Sequence, residues 1–471
     1  MRAELGIVAL SAGLWLAGAG ILLGAGMLRL SWRSALAWSG PAYLLGAAAV
    51  GLVLTMTTIA GIGLSTPLTG GVILAVTALG VVAWRLLRVA PLAEPVEERD
   101  RRFRQVAGIV AGVFVLAGTA LALVHPISSY TDGWAIWGIK SLLIYDHGTI
   151  PPEFTTGDYG LSHVDYPMLW PVLEAAHYRA MGGPETKLAI LPFWLLYVAF
   201  AGTVAAVGSR LTRPAIWMPL ALGVLTTSAI LDQLYWHYAD VPTGILVGGG
   251  ALLGGMWLAG HGTRWLALAA ILLGAAANGK NEGLMAAVAV VAALVVAGAL
   301  AQGARRRGVL TAVAAGAFVG LAALPWRLWL SARDVHGDIS ASRALDPGVL
   351  ADASGRVGPS ANAMWDKFTN PRVWGYLAFV ALLLIGFALA RRATRQLGAY
   401  YGVTGGLIFL FLLLAYWVAE TDLNWHLNTS SDRVVHLLGF AAIAAVVQLT
   451  AALYEDDDVP RPAPPAPPTA S

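Results

Sequence analysis

The residues best suited to chemistry in this chain are the acids and aromatics of its first long polar stretch, residues 128–165. Five carboxylates occur there with one basic residue, Lys140, and with tryptophans and tyrosines between them. A carboxylate just outside the hydrocarbon layer of a membrane reaches water-borne and lipid-borne substrates without the cost of a charge in lipid. We expect this stretch to carry a catalytic base, with Asp132 as the first candidate and Asp165 as the second. The remaining acids are interpreted as solvated loop charges: Asp146, Glu153 and Asp158.

Asp132 also has a purely structural interpretation. The pattern of Gly133–Tyr145 predicts an amphipathic helix in the membrane interface, and Asp132 would cap its amino end. Trp134 and Trp137 fit the apolar side of such a helix. Capping and catalysis are compatible with each other, so the sequence leaves both interpretations open.

The second polar motif is His163-Val-Asp165-Tyr166-Pro167, where prolines indicate a bend back toward the membrane. His163 and Asp165 have the side chains to bind a metal ion or a substrate hydroxyl. A His-x-Asp sequence is also a common local hydrogen-bonded pair. We expect no cofactor to be required, and a divalent metal ion at this pair stays open as an alternative.

The third motif, Tyr235–Pro242, lies where the chain is expected to enter another membrane span. Asp240 stands at the start of that span, and an aromatic belt with a helix cap would explain both it and Trp236. Those structural roles explain His237 less well. We therefore include Trp236, His237 and Asp240 among the candidate substrate-binding residues.

The fourth motif is a sharp polar turn, Asn278–Gly283, between two apolar segments. The ammonium of Lys280 is suited to a phosphate, and the glycines allow close approach of the backbone to a ligand. The alternative is that Lys280 and Glu282 only solvate a tight turn. Lysines are scarce in this chain, and one on the outer side runs against the positive-inside bias, which favours a functional role.

The fifth motif spans residues 420–436 and includes His426 and Arg433. An arginine at the outer end of a span is disfavoured by topology, so Arg433 calls for an anionic partner such as a phosphate or a carboxylate. Arg327, within a Pro-Trp-Arg-Leu-Trp sequence, has the same character. For both arginines, snorkelling to the membrane interface is the structural alternative.

The composition indicates the class of protein that must position these residues. The 471 residues are 58% hydrophobic and only 12% charged, with a mean hydropathy of +0.68, whereas soluble domains carry about 25% charged residues. Many apolar stretches of about 20 residues indicate an all-α, multi-pass membrane protein. The absence of cysteine excludes disulfides, thiolate metal sites and cysteine nucleophiles. We interpret the basic residues as topology signals and expect no nucleic-acid partner.

Hydropathy predicts about thirteen transmembrane helices. They are residues 5–28, 37–61, 68–89, 105–126, 187–208, 214–231, 241–260, 265–279, 283–302, 309–330, 373–390, 398–418 and 434–454. Arginines cluster in alternate loops, which predicts that those loops are cytoplasmic. The segments expected outside are 127–186, 232–240, 280–282, 331–372 and 419–433. All five motifs fall in or beside that outer set.

Two of the predicted segments differ from simple connections. Residues 331–372 form an outer loop too long for a plain turn, and we predict a lid or binding loop there. Residues 455–471 combine an acidic run with a proline-rich end, which predicts a disordered cytoplasmic tail.

No phosphate-binding P-loop, dinucleotide fingerprint, HExxH zinc motif or nucleophile elbow occurs in the chain. The order of the five motifs, from Asp132-Gly-Trp to His426-Leu-Asn-Thr-Ser-Ser-Asp-Arg433, resembles bacterial membrane glycosyltransferases of the GT-C superfamily. The relatives in question are the protein O-mannosyltransferase and aminoarabinose transferase group. The resemblance extends over about residues 128–436.

The resemblance implies a GT-C-like fold and a sugar transfer that inverts the anomeric carbon. Asp132 would be the general base, and the donor would be a polyprenyl-phosphate sugar whose phosphate binds to Lys280, Arg433 and Arg327. Further substrate contacts would come from His163, Asp240, Glu282, Trp134, Trp137, Trp236, His237, Tyr166 and His426. The acceptor would be a glycan, a lipid or a protein. The implied location is the bacterial inner membrane, with the active site on the extracytoplasmic face and membrane lipid around it.

The chain departs from the family pattern at two points. In the family the catalytic loop often follows the first span, whereas about three extra spans precede it here. Residues 1–104 therefore have no matched role, and residues 105–454 form the expected catalytic module. Many relatives carry two adjacent acids where this chain has only Asp132.

Two other functions stay open on the sequence. A transporter or flippase of a lipid-linked or polar solute would place ionisable residues near the membrane midplane, often on broken helices. Asn278 and the short segment 265–279 are the main features that favour it. A glycan polymerase or ligase would use a lipid-linked oligosaccharide, and the sequence does not separate it from a monosaccharide transferase.

Overall fold

The computed structural model of the chain describes residues 2–89, 91–92, 101–125, 132–157, 159–300, 305–337 and 341–454. Asp158 and the tail at 455–471 lie outside these residues. Within the described ranges the regular structure is entirely helical. The prediction of an all-α, multi-pass membrane protein is therefore confirmed.

Twenty-two α-helices follow one another along the described residues. They are α1 (Arg2–Gly24), α2 (Trp32–Ala37), α3 (Ser39–Ile59), α4 (Thr66–Leu87), α5 (Arg101–Val124), α6 (Ile139–His147), α7 (Leu169–Met181), α8 (Ile190–Leu211), α9 (Pro214–Leu225), α10 (Ser228–Tyr235), α11 (Asp240–Met256), α12 (Thr263–Ala277), α13 (Asn281–Ala299), α14 (Arg305–Ser331), α15 (Ala341–Ala344), α16 (Pro347–Asp352), α17 (Val357–Thr369), α18 (Pro371–Trp374), α19 (Leu377–Ala390), α20 (Arg395–Val418), α21 (Leu423–Val434) and α22 (His436–Leu453). Two π-helical segments, Gly133–Gly138 and Trp257–His261, and two 3₁₀ turns, Pro152–Thr155 and Ser354–Arg356, complete the set.

Eleven segments of the described chain are long and apolar enough to cross a membrane. They comprise α1, α3, α4, α5, α8, α9 with α10, α11 with the π-helix after it, α13, α14, α20, and α21 with α22. The pair Ser354–Trp374 and Leu377–Ala390 is bent by 107° and makes a twelfth if it counts as one span. The remaining apolar helix, α12, has only 15 residues. The count of thirteen spans therefore stays a prediction.

Close helix packing in the first part of the chain depends on glycine. Gly18 of α1 and Gly46 of α3 face each other so closely that a Cβ on either would lie 1.7 Å from a backbone oxygen of the other helix. Small residues let the backbones of membrane helices approach in this way. The helices α1, α3 and α4 consequently form one packed group, against which α7 also rests.

The helix α7 is the main feature that hydropathy did not reveal. Its 13 residues lie within the predicted outer loop 127–186, yet eleven of them are buried. Polar side chains such as Glu174 and His177 lower the mean hydropathy of this segment, so a hydropathy scan does not detect that the helix is buried. The helix packs against α1, α3 and α6, so the first outer loop is built around an internal element.

The segment between α14 and α19, predicted as an outer loop, contains the helices α15–α18. Two arginines fasten it to the end of α20. Arg343 donates to the carbonyl of Val418 and pairs with Glu420 at 2.7 Å. Arg356 donates to the carbonyls of Tyr416 and Thr421, each at 3.0 Å. The last carbonyls of a helix lack intrahelical partners, and these arginines satisfy them. The role of this segment as a lid stays a prediction.

Candidate functional site

The structure pairs Asp132 with Arg433, which stand 301 positions apart in the chain. Asp132 directly precedes the π-helix Gly133–Gly138, and Arg433 lies in the last turn of α21. Within the described residues, the Asp132 carboxylate makes no capping hydrogen bond to that helix, so the capping interpretation is not supported. Its side chain is 43% exposed and that of Arg433 is 14% exposed. The pair therefore offers an accessible carboxylate backed by a largely buried guanidinium.

The Arg433 guanidinium has further neighbours that hold it in place. Its central carbon lies 4.8 Å from the centre of the Tyr238 ring, a cation–π contact. Its Nε is buried and has no hydrogen-bond partner among the described residues. A buried donor without a partner is costly, so a hydrogen-bond acceptor that reached this nitrogen would stabilise it.

Lys280 occupies the centre of a second charged cluster. Its Nζ lies 2.7 Å from Asp240 Oδ1 and 3.2 Å from Glu282 Oε1. Burial alone would lower the pKa of Lys280, but the two carboxylates outweigh burial and raise it. The ammonium is therefore charged and already balanced by two carboxylates. Glu282 Oε2 is buried and has no hydrogen-bond partner among the described residues.

Asp165 belongs to a third group, which includes Arg327. Asn281 Nδ2 donates to Asp165 Oδ2 at 2.6 Å, and Arg327 Nη2 donates to Asn281 Oδ1 at 2.8 Å. Trp326 Nε1 donates to the Asp165 carbonyl at 2.9 Å. Trp326 of α14 thus holds the backbone of Asp165, and Asn281 of α13 holds its carboxylate. Arg327 acts on Asp165 through Asn281, a residue that the sequence analysis did not single out.

A stack of rings joins these groups. His163 stacks on Tyr166 with ring centres 4.7 Å apart, and Tyr166 stacks on Trp137 at 5.5 Å. The backbone of His163 is left-handed, with φ of +50°. Lys140 donates to the His163 carbonyl from within a cage of the Trp137, Phe154 and Tyr166 rings.

Tyr166 lies near all three charged groups, and the Lys280 ammonium is 5.7 Å from the centre of its ring. Burial is the main reason that its pKa is raised well above the ordinary value. The charges of Glu282, Asp165 and Asp240 raise the pKa further, and Arg433 partly offsets them. Acids from three separate segments of the chain thus act on one hydroxyl, which stays neutral.

The remaining predicted residues are more scattered. Trp134 is partly buried against the core, whereas the side chain of Trp236 is 48% exposed. His426 lies against the Tyr416 ring at 4.6 Å, with its Nδ1 3.2 Å from Thr421 Oγ1. The described contacts do not join Trp236 to the three charged groups.

Metal binding was the alternative considered for His163 and Asp165. No group of three or more histidine, cysteine or acidic side chains suited to a metal occurs among the described residues. His163 uses its ring for stacking, and Asp165 accepts from Asn281. The expectation that no cofactor is required stays a prediction.

A buried carboxylate on α7, Glu174, was missed by the sequence analysis. It accepts hydrogen bonds from Ser141 Oγ at 2.5 Å and from the Tyr178 hydroxyl at 2.7 Å. His237 Nε2 lies 3.1 Å from Glu174 Oε1, an ion-pair distance. An acid inside the apolar run 167–181 was the available signal, because an acid that is buried on folding is usually paired.

Comparisons with protein-family models, with curated proteins and with solved structures found no match to this chain. The resemblance to GT-C glycosyltransferases therefore stays a prediction that depends on the motifs and on the arrangement of their residues.

Proposed function

We propose that the chain is a membrane glycosyltransferase that moves a sugar from a polyprenyl-phosphate donor to an acceptor hydroxyl, with inversion at the anomeric carbon. The observation that carries the proposal is the Asp132–Arg433 pair, in which a half-exposed carboxylate lies against a buried guanidinium with an unpartnered Nε. A base for the acceptor and a cation for the donor phosphate are the two groups this reaction needs most.

In the proposed reaction, Asp132 accepts the proton of the acceptor hydroxyl as its oxygen attacks the anomeric carbon. The bond from that carbon to the phosphate oxygen breaks, and the polyprenyl phosphate leaves with the electron pair. Phosphate is already a good leaving group, so an acid for the leaving group is not required. The exposure of Asp132, the greatest among the paired acids of the site, suits a group that must meet an incoming acceptor.

The donor phosphate would bind first to Arg433, whose Nε is unpartnered among the described residues. Lys280 contributes less directly, because Asp240 and Glu282 already neutralise its charge. Arg327 would act indirectly, because it hydrogen-bonds to Asn281, which in turn holds Asp165. Arg433 is therefore the first candidate for the phosphate ligand, ahead of Lys280 and Arg327.

The sugar would be held by acceptors and aromatic rings of the same site. Glu282 Oε2 is a buried acceptor with no partner in the described part of the chain, and it is suited to a sugar hydroxyl. Further contacts are assigned to residues that the sequence singled out: Asp165, His163, Tyr166, Asp240, Trp134, Trp137, Trp236 and His426. His237 is left out of this set, because it is 1% exposed and lies against Glu174. The proposed location is the extracytoplasmic face of a bacterial inner membrane, with a glycan, lipid or protein as the acceptor.

A transporter of a lipid-linked or polar solute is the second candidate. The observation that favours it is the buried cluster of Lys280, Asp240 and Glu282 at the break between α12 and α13. Transporters use ionisable residues at such helix breaks. A glycan polymerase or ligase would use the same glycosyl transfer chemistry as the proposed enzyme, but with a larger, lipid-linked oligosaccharide as the donor.

The test is incubation of the purified protein, reconstituted in liposomes, with a panel of radiolabelled polyprenyl-phosphate monosaccharides. Transfer to an added acceptor, or hydrolysis of the donor, supports the enzyme. Movement of label across the bilayer without bond cleavage supports the transporter.

The matched variants are Asp132→Asn and Asp146→Asn. We expect Asp132→Asn to lower transfer by roughly 10²–10⁴-fold, because the base is lost. Asp146 is an exposed acid a short distance along the same segment, and its substitution is expected to leave the rate unchanged. Near-normal transfer by Asp132→Asn at normal expression would remove Asp132 from the mechanism.

A further inference from the structure

Glu174 is the best-connected buried carboxylate of the described chain that the proposed reaction does not use. Its residue is 7% exposed, and its two oxygens meet Ser141, Tyr178 and His237. Burial alone would raise the pKa of Glu174, but the neighbouring His237 and the hydrogen bonds from Ser141 and Tyr178 outweigh it and lower the pKa. The carboxylate is therefore ionised and lies against the His237 ring.

His237 is held in an unusual backbone conformation. It is 1% exposed, and its φ is +61°, in the left-handed region that non-glycine residues rarely adopt. A strained residue of this kind persists only when its surroundings fix it. The Glu174 carboxylate supplies one such contact, at Nε2.

The other ring nitrogen of His237 reaches the backbone next to Asp132. Nδ1 lies 3.3 Å from the Gly133 carbonyl oxygen. Gly133 also packs tightly on the same turn, since a Cβ there would lie 2.3 Å from the Trp236 carbonyl oxygen. The position of Asp132 is therefore set by the turn that carries His237.

The same turn carries residues of the two main charged groups. Tyr238, the next residue, lies under the Arg433 guanidinium, and Asp240 pairs with Lys280. The contact between Glu174 and His237 thus supports a turn that touches both the segment of the proposed base, Asp132, and the paired cation, Arg433. A cavity of about 20 Å³ adjoins the pair, which is room for about one water molecule.

We propose that the buried Glu174–His237 pair positions the Asp132 segment against Arg433. This inference rests on the proposed function only in assigning Asp132 the role of base; the positioning itself is a structural property. Glu174 and His237 are positioning residues. They contact each other, and His237 contacts Gly133, the residue after Asp132.

The first test measures position without any enzymatic activity. The chain contains no cysteine, so Asp132→Cys introduces a single thiol. The rate of its reaction with a water-soluble maleimide is compared in the wild-type, Glu174→Gln and His237→Asn backgrounds. Glutamine keeps the size of Glu174 without its charge, and asparagine tolerates the left-handed backbone of His237. We expect a several-fold change in rate in both backgrounds.

The control is Tyr401→Phe, which removes another buried hydrogen bond, the one of 2.7 Å to Gln448. Tyr401 lies about 22 Å along α20 from Tyr416 near the site, at 1.5 Å per residue. Its substitution is expected to leave the thiol rate unchanged. If the Glu174 and His237 variants, folded as judged by size-exclusion chromatography, leave the rate unchanged as well, the positioning proposal is wrong.

The second test is a double-mutant cycle on transfer. Glu174→Gln is expected to lower kcat by about tenfold to a hundredfold with little change in donor KM, because misplaced catalytic groups have effects of that size. In an Asp132→Asn background the same substitution is expected to cause no further loss. An equal loss in both backgrounds would overturn the proposal. Absence of transfer by the wild-type protein would instead count against the proposed function, and the thiol assay would still decide the positioning.

Discussion

At the residue scale, the candidate site combines one accessible carboxylate with charges that are almost fully buried. Asp132 is 43% exposed, whereas the side chains of Lys280 and Asp240 are each 6% exposed. Buried charges are stable only when paired, and each of these has its partner. The arrangement separates two tasks: the buried pairs fix the geometry of the site, and Asp132 remains able to meet a substrate.

A first prediction concerns Arg433. Arg433→Ala is expected to raise the donor KM about ten- to a hundredfold, because a hydrogen bond to a charged group contributes about 1.5–3 kcal/mol and about 1.4 kcal/mol is tenfold in affinity. Arg372→Ala, at an exposed arginine of α18, is the control and is expected to leave KM unchanged. Steady-state kinetics with the active donor from the panel makes the comparison. Equal KM values for all three proteins would exclude Arg433 as the phosphate ligand.

A second prediction concerns Lys140. Burial lowers the pKa of this amine from 10.5 to about 7, and the charge of Asp165 offsets burial only in part. Between these two pH values the unfolded chain binds a proton that the folded chain does not. The free energy of unfolding should therefore rise with pH from 7 toward 10.5, with a slope of at most about 1.4 kcal/mol per pH unit.

Lys140→Met is expected to flatten this pH dependence, since the titrating group is gone. Thermal unfolding in detergent at pH values from 7 to 9.5 measures the slope for each protein. Lys187→Met, at an exposed lysine, should keep the slope of the wild-type protein. A Lys140→Met protein with the wild-type slope would show that Lys140 titrates as an exposed amine does.

At the scale of elements, the segment that follows α14 bears directly on Asp165. Gly337 approaches so closely that a Cβ there would lie 2.4 Å from Asp165 Oδ2. We expect Gly337→Ala to displace the carboxylate from Asn281 and to lower transfer by about tenfold or more. Gly355→Ala is the matched control, since no described atom lies within 4 Å of a Cβ at that position of the same outer segment. Equal transfer rates for both variants would show that the close approach of Gly337 to Asp165 does not affect the site.

The elements also show what the sequence did and did not predict. Runs of apolar residues identified the long helices, because hydropathy measures how strongly a segment prefers lipid to water. The helix α7 was missed because its polar residues are satisfied by internal partners, as Glu174 is by Ser141 and Tyr178. Hydropathy contains no information about such partners, and a buried polar helix therefore looks like a loop.

The motifs likewise identified side chains but not their pairing. The sequence predicts Lys280 and Arg433 as phosphate ligands, and the structure adds that Lys280 pairs with Asp240 and Glu282. The sequence also leaves open that Asp132 is a cap, whereas in the structure its carboxylate contacts Arg433. Contacts between residues more than a hundred positions apart depend on how helices pack, and a single sequence does not specify that.

At the scale of the whole molecule, the helices before the site are fixed to it by close packing. Gly46→Ala would place a Cβ 1.7 Å from the Leu14 carbonyl oxygen and force α1 and α3 apart. We expect a loss of about 1–3 kcal/mol in the free energy of unfolding, the usual cost of overpacking. Gly70→Ala in α4 is the control, because no described atom lies within 4 Å of a Cβ there.

Thermal unfolding in detergent compares the two glycine variants. Gly70→Ala should unfold at the wild-type temperature or slightly above it, since alanine favours a helix more than glycine does. Equal unfolding temperatures for both variants would show that the contact between α1 and α3 relaxes without cost.

The length of α14 relates the site to the thickness of the surrounding bilayer. Arg307 near its start and Arg327 near its end are about 20 positions apart, which is roughly 30 Å along a helix and close to the thickness of the hydrocarbon layer. The two arginines therefore lie about one hydrocarbon thickness apart along α14. Because Arg327 reaches Asp165 through Asn281, the site is connected to one end of this length. A thicker or thinner bilayer would shift the site relative to the headgroups, so lipid chain length becomes a variable of its geometry.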